Sequence, residues 1–546
     1  MTHSSTPTPP PAPRRLPSRL CATLCALALA GTAVPPPVRA QNDLPALGDA
    51  AIEDFGVGAE RRMGDQIMRE IRRDPDYFDD PVLLDYLQSL WQPLLARSRA
   101  LGHISADIDQ RFAWEPFLLR DRTVNAFALP GGYFGMYLGL IALTATRDEL
   151  ASVMAHEMSH ITQRHIARRF ANSKQQTMLG VAALILGVLA ASRARSVDGA
   201  NAAIAGSQAA AIQGQLNFSR DTEREADRIG FAVFSSAGFA PGGMAAMFEK
   251  LDQSTRLNDN GGYPYLRTHP MTTERIGEAR ARMGTAPAVA PVSGLEHGVA
   301  QARARVLMDS RTDALRRWQG LDAQMQSGTP TDRLGAAYSS ALASTMLRDW
   351  ARADAALAVA QELVRGGVLS KDPLAARAAR DVALLVAQSM LERGEPLRAA
   401  AAVQPYAGDT ARPLTLMRAQ IALAPLALTP ITGTNPEANA TEPVLQRSAD
   451  VLQTWVAVHP IDATAWSLLG QTWARLNQTL RSLRADAESR VAIGDFSGAA
   501  DRLRAGQRRA REGGAADFID VSVIDARLRD VEAQRRRIEA EDKEKQ

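Results

Sequence analysis

The 546-residue chain has almost no cysteine: Cys21 and Cys25 are the two, both near its start. The first forty residues read as a leader that is cut away, and the mature chain then carries no thiol. That excludes disulfides and thiolate metal ligands even in an oxidising compartment. Net charge is scarce as well. Of 63 Lys and Arg, four lie in residues 1–40 against no acid, leaving 59 bases to face 60 acids. A nucleic-acid binder keeps a basic excess, and here none is left. Apolar runs of membrane-spanning length are also missing. Leu20 to Val34 and Leu179 to Ala191 both fall short of the roughly 20 residues a spanning helix needs. Histidine is sparse, with 8 in the whole chain, so any cluster of it carries weight.

The remaining composition, 46% hydrophobic and 23% charged, is that of a globular chain long enough for about two to four domains. In the leader, Arg14, Arg15 and Arg19 form a basic region and Leu20 to Val34 an apolar one. Val38-Arg39-Ala40 places small residues where a signal peptidase reads, so cleavage is expected before Gln41. An uncleaved anchor is the competing reading. No Leu-Ala-Gly-Cys-like run precedes a cysteine, which argues against a lipid anchor.

Apolar spacing at Met63, Ile67 and Ile71, then at Leu83, Leu84, Leu87, Leu90 and Trp91, predicts helices over residues 51–100. Residues 111–119 and 123–129 have β character and are followed by the turn Pro130-Gly131-Gly132. Glu149 to Phe170 reads as one long helix, and Arg220 to about Ser236 as another. Pro287 and Pro291 mark 284–298 as a linker. Beyond it the chain is helix after helix. Trp466-x-x-Leu469-Gly470-x-x-Trp473, Leu334-Gly335-x-x-Tyr338 with Trp350, and Gly394-Glu395 before Ala399-Ala400 resemble pieces of tetratricopeptide units. A plain alanine-rich bundle is the alternative.

The chemistry starts at His156-Glu157-Met158-Ser159-His160. Residues four apart on a helix share a face, so both imidazoles can grip one ion. Glu157 projects about 100° round from His156, beside the ion, where a carboxylate can take a proton from metal-bound water. A hydrolytic zinc site wants a third protein ligand. Glu223 and Asp227, one turn apart in Glu223-Arg-Glu225-Ala226-Asp227, can supply a metal oxygen and an acceptor for a ligand imidazole. A solvated salt-bridge ladder is the competing reading of that acidic helix. His165, about half a turn round from His156, is expected to face away from the ion at the surface. His103, His297 and His459 have no partners in sequence.

The order Asn125-Ala-Phe-Ala-Leu-Pro-Gly-Gly132, His156-Glu-Met-Ser-His160, Glu223-Arg-Glu-Ala-Asp227 resembles the gluzincin peptidases related to the prenyl-protein CAAX endopeptidase. The resemblance implies one zinc ion held by His156, His160 and Glu223, with Glu157 catalytic and Asp227 behind the ligands. It implies that Asn125, Ala126, Phe127 and Ala128 form a cleft edge to which an extended substrate adds. It also implies that His269, in His269-Pro270, is a fourth ligand that fills the open position as a latch. A histidine merely capping a loop is the alternative there. The implied class is α+β, mostly α: a zincin-like domain with a small edge sheet over residues 41–283, then an all-α tetratricopeptide-like domain over 299–515 and a charged, solvated helical tail over 516–546.

The members of that family with a leader, no transmembrane bundle and C-terminal repeats imply a periplasmic endopeptidase, peripherally attached to the outer membrane. Its polypeptide substrates would be outer-membrane β-barrel precursors, met together with their assembly machinery. Residues 177–191 are apolar all round and fit a buried helix, a lid over the cleft or a hairpin touching a membrane surface. Two other functions compete: a silent zinc-bearing chaperone or adaptor capped by His269, and a metal-dependent hydrolase of cell-wall links.

Overall fold

The computed structural model describes residues 56–171, 219–257, 265–284, 294–325, 327–369, 373–425, 436–512 and 518–543. The leader, the apolar stretch 177–191 and residues 285–293 of the expected linker lie outside them.

Several helices near the site begin where a short polar side chain closes the first turn. α1 is Val57–Ile71. α2, Pro81–Ala100, starts at Asp80, which accepts from the Leu83 amide. After α3 (Ala106–Arg111) and a sheet come α4 (Leu138–Leu143) and α5 (Arg147–Thr162), capped by Thr146. α6 is His165–Ala171. α7, Arg220–Ser236, is capped by Ser219. α8 is Gly242–Leu257, α9 Tyr265–Thr268, and α10, Thr273–Arg282, is capped by Thr272. Such caps satisfy amides that have no partner within the helix.

The sheet has four strands: β1 Tyr77–Phe78, β2 Glu115–Leu119, β3 Ala126–Leu129 and β4 Tyr133–Tyr137. Their order is β1-β2-β4-β3. β2 and β4 run parallel and the outer pairs antiparallel. β2 and β3 were expected from the sequence, but β4 was not. All five of its residues are buried, so it lacks the in–out alternation by which a strand is recognised. Trp91 of α2 stacks on Phe134 of β4, with ring centroids 5.3 Å apart, and joins the sheet to the helical core.

The expected single helix from Glu149 to Phe170 is two helices. It breaks at Gln163–Arg164, where Arg164 takes a positive φ of 52°. A non-glycine residue there is strained. The Arg164 guanidinium meets the buried Glu60 of α1 at 2.7 Å, and this pair holds the break.

α11, Leu295–Leu307, begins inside the stretch read as linker and packs against α2, α4 and the helices that follow. His297 on it is buried: its Nδ1 lies 2.7 Å from the Tyr86 hydroxyl and its Nε2 3.0 Å from the Thr144 carbonyl. Burial pushes this ring down to about 4, so it is a neutral structural histidine. From Pro330 onward the described elements are all helical, and each helix packs on its sequence neighbour. Arg348, Gly394, Asn477 and Gly494 have positive φ at the tight turns between them. Three acids before and within α2 receive this helical region. Asp80 pairs with Arg303, Asp85 with Arg377 and Arg380, and Asp79 with Arg412. The last helix, Phe518–Lys543, is not solvated all round as expected: Ile524, Leu528 and Val531 are buried in a cluster with Leu503.

Candidate metal centre

α5 carries the His-Glu-Met-Ser-His run, and every residue from Asp148 to Thr162 is buried. α7 crosses it at Gly230, where an added Cβ would lie 3.1 Å from the Ala155 carbonyl oxygen and 3.2 Å from the His156 Cα. The missing side chain lets α7 bring Glu223 and Asp227 against the α5 histidines. Gly230→Val is therefore expected to push the helices apart. It should cost about 1–3 kcal/mol in denaturant unfolding and weaken metal binding by isothermal titration; unchanged values for both would contradict this packing account.

One potential ligand atom from each of His156, His160, Glu223 and His269 falls within a set whose members all lie within 4.8 Å of one another, and all four residues are buried. His156 Nε2 is 3.1 Å from His160 Nε2, 3.3 Å from His269 Nδ1 and 3.5 Å from Glu223 Oε2. Glu223 Oε1 is 3.5 Å from His160 Nε2 and 3.0 Å from His269 Nδ1. A tetrahedron with metal–ligand bonds of about 2.0–2.1 Å has edges of about 3.3 Å. These separations match that figure. The charge also fits: Glu223 and Asp227 are buried carboxylates that share one buried guanidinium, Arg275, and Glu157 adds a third buried acid beside them, a surplus of negative charge that a cation would balance.

Glu157 sits beside the group. Its Oε2 accepts from the Ala128 amide of β3 at 3.0 Å, and its Oε1 is 3.4 Å from His269 Nε2. Burial pushes its carboxyl above the ordinary range. Asp227 Oδ1 lies 2.9 Å from His156 Nδ1. Burial alone would raise Asp227, but His156 and Arg275 outweigh it and hold the carboxyl at about 2. β3 is an outer strand of the sheet. Asn125 accepts from the Tyr137 amide through its carbonyl and Phe127 pairs with Gly135. Ala126 and Ala128 turn their backbone groups away from β4, as antiparallel pairing requires, and the Ala128 amide is the one that Glu157 takes.

Every residue read as a ligand, base or acceptor is thus brought to one place. His165 is a correction. It is buried, not at the surface, with Nδ1 2.8 Å from His160 Nδ1 and Nε2 3.1 Å from Glu225 Oε2. The helix break at Arg164 turns it inward. Two residues had no part in the sequence reading. Arg275 forks onto Asp227 at 2.7 and 2.8 Å and reaches Glu223 at 2.9 Å. Tyr265 stacks its ring on His269, with centroids 4.6 Å apart. Three histidines within ten residues were a usable signal for His165; one arginine among so many gave none.

With this geometry the comparisons agree. Residues 97–283 match peptidase family M48. They form an M48 peptidase domain. A beta-barrel assembly-enhancing protease of Escherichia coli is 31% identical over 288 residues, 52% of this chain and 56% of that protein. One from Yersinia pestis is 28% identical over 479 residues, 86% of this chain and 89% of its own. The mitochondrial metalloendopeptidase OMA1 of Schizosaccharomyces pombe is 28% identical over 235 residues, 41% of this chain and 60% of the relative. The chain spans about half the length of the first curated relatives it matches, at 55% and 56%. The M48 domain holds the whole candidate metal group. Among the described residues no helix is long and apolar enough to cross a membrane.

Proposed function

We propose that this chain is a zinc-dependent endopeptidase of the bacterial periplasm that degrades misassembled outer-membrane or envelope proteins. The observation that carries this reading is the ion-sized convergence of His156, His160 and Glu223 beside Glu157, itself hydrogen-bonded to an open strand edge. His156, His160 and Glu223 would be the metal ligands, and Asp227 the acceptor that orients His156. Bound zinc would polarise a peptide carbonyl and acidify a water. Glu157 accepts the proton of that water and passes it to the leaving amide nitrogen. An extended substrate adds to the edge at Asn125, Ala126, Phe127 and Ala128, placing its backbone across the site.

The helices of residues 299–515, read as tetratricopeptide-like repeats, would bind substrates in a chaperone-like way. Polypeptides such as outer-membrane β-barrel precursors and their assembly machinery are the proposed partners, as the names of the relatives suggest. Residues 1–40 would be a cleaved signal segment, and 177–191 a contact with the outer membrane or with substrate.

One observation favours a second reading. His269 occupies the fourth corner of the group, the position a hydrolytic zinc site leaves open. A permanently capped site would make the chain a silent, zinc-bearing adaptor. His269→Ala separates the two: cleavage of an unfolded, casein-like chain should rise several-fold if His269 is a displaceable latch. Absence of cleavage in both proteins, with zinc bound, would leave the adaptor.

A further inference from the structure

Asp227 supports His156 directly, but His160 has no carboxylate behind its ring in the expected ligand set. The structure places one there through an intermediary. Glu225 Oε2 lies 3.1 Å from His165 Nε2 and also accepts from Arg168 at 2.8 Å. The Arg168 guanidinium on the same oxygen marks this group as the acceptor. A carboxylate only accepts, so His165 Nε2 donates. A neutral imidazole with its proton on Nε2 keeps its lone pair on Nδ1. That Nδ1 is 2.8 Å from His160 Nδ1, which therefore donates. The lone pair of His160 is left on Nε2, the atom that faces His156 Nε2 and Glu223.

We propose that Glu225 and His165 form a positioning relay that fixes His160 in its metal-binding tautomer, and that the strained Arg164 is kept because it aims His165 into this role. The inference rests on the zinc reading above and deepens it. A continuous α5 would carry His165 away from His156 by about half a turn. The positive φ of Arg164 and its pair with Glu60 redirect the ring. Glu225 is one of four acids on the first two turns of α7, and its face differs from that of Glu223 and Asp227. The α7 acids thus divide between the two histidines: Asp227 serves His156 at once, and Glu225 serves His160 through His165. Outer partners of this kind are worth about 10- to 100-fold in metal affinity.

The test is Zn²⁺ affinity, measured in competition with a chromophoric chelator on the full chain. His165→Phe should bind about 10- to 100-fold more weakly than wild type. His165→Gln, whose amide oxygen can still accept from His160, should recover most of the loss, and Glu225→Gln should show a smaller loss. Equal affinity in wild type and His165→Phe overturns the relay while leaving the metal site intact. Equal loss in the Phe and Gln variants reduces His165 to packing and also overturns it. No zinc binding by wild type sinks the underlying reading instead. A histidine-labelled wild-type chain gives a readout free of folding effects. Long-range ¹H–¹⁵N correlations should show His165 protonated on Nε2 and His160 on Nδ1, and the opposite tautomers would overturn the proposal.

Discussion

Glu157→Gln is expected to lower cleavage of an unfolded protein by about 10²- to 10⁴-fold while zinc content and fold stay as in wild type. The amide is nearly isosteric with the carboxylate, and its oxygen can still accept from the Ala128 amide as Glu157 Oε2 does. What disappears is the ability to take a proton. Steady-state cleavage of a casein-like chain, with zinc measured on the same samples, checks both halves. Wild-type rates in the variant would remove Glu157 from the chemistry. A loss of rate with a matching loss of zinc would point to a damaged site rather than a missing base.

The second large effect belongs to Arg275, which touches no proposed reacting atom. It is buried and forks onto Asp227 while reaching Glu223. Arg275→Met leaves two buried carboxylates without their cation, and breaking such a pair costs about 3–5 kcal/mol. The loss should be largest in chelator-treated protein, because a bound dication can neutralise the same carboxylates. Urea unfolding with and without zinc measures it. A variant as stable as wild type without metal would show that His156 and solvent suffice to compensate these acids.

The proposed metal-binding residues were legible in the sequence as pairs, because helix geometry puts residues four apart on one face. His156 and His160 share a face at a spacing of four, and Glu223 and Asp227 repeat that spacing on a second helix. Their convergence on one point was legible only through the family resemblance, since no local rule brings α7 onto α5. Gly230 is the physical means, and a lone glycine in a helix does not announce what it packs against. β4 was hidden because a strand buried on both faces loses its alternation. His165 was misplaced for a definite reason: a regular α5 continued through Arg164 would carry it outward, and the left-handed conformation of that one residue breaks the helix before it. Arg275 and Tyr265 lie more than a hundred residues from the histidines on α5, and only folding makes them neighbours.

The account stands on a single ion bound by the group on α5 and α7 driving peptide cleavage. Zinc titration of chelator-stripped protein, followed by cleavage of an unfolded chain, tests this most directly. Activity should be lost on stripping, return in proportion to added zinc and saturate at one equivalent per chain. Cleavage that survives complete removal of metal would contradict the account.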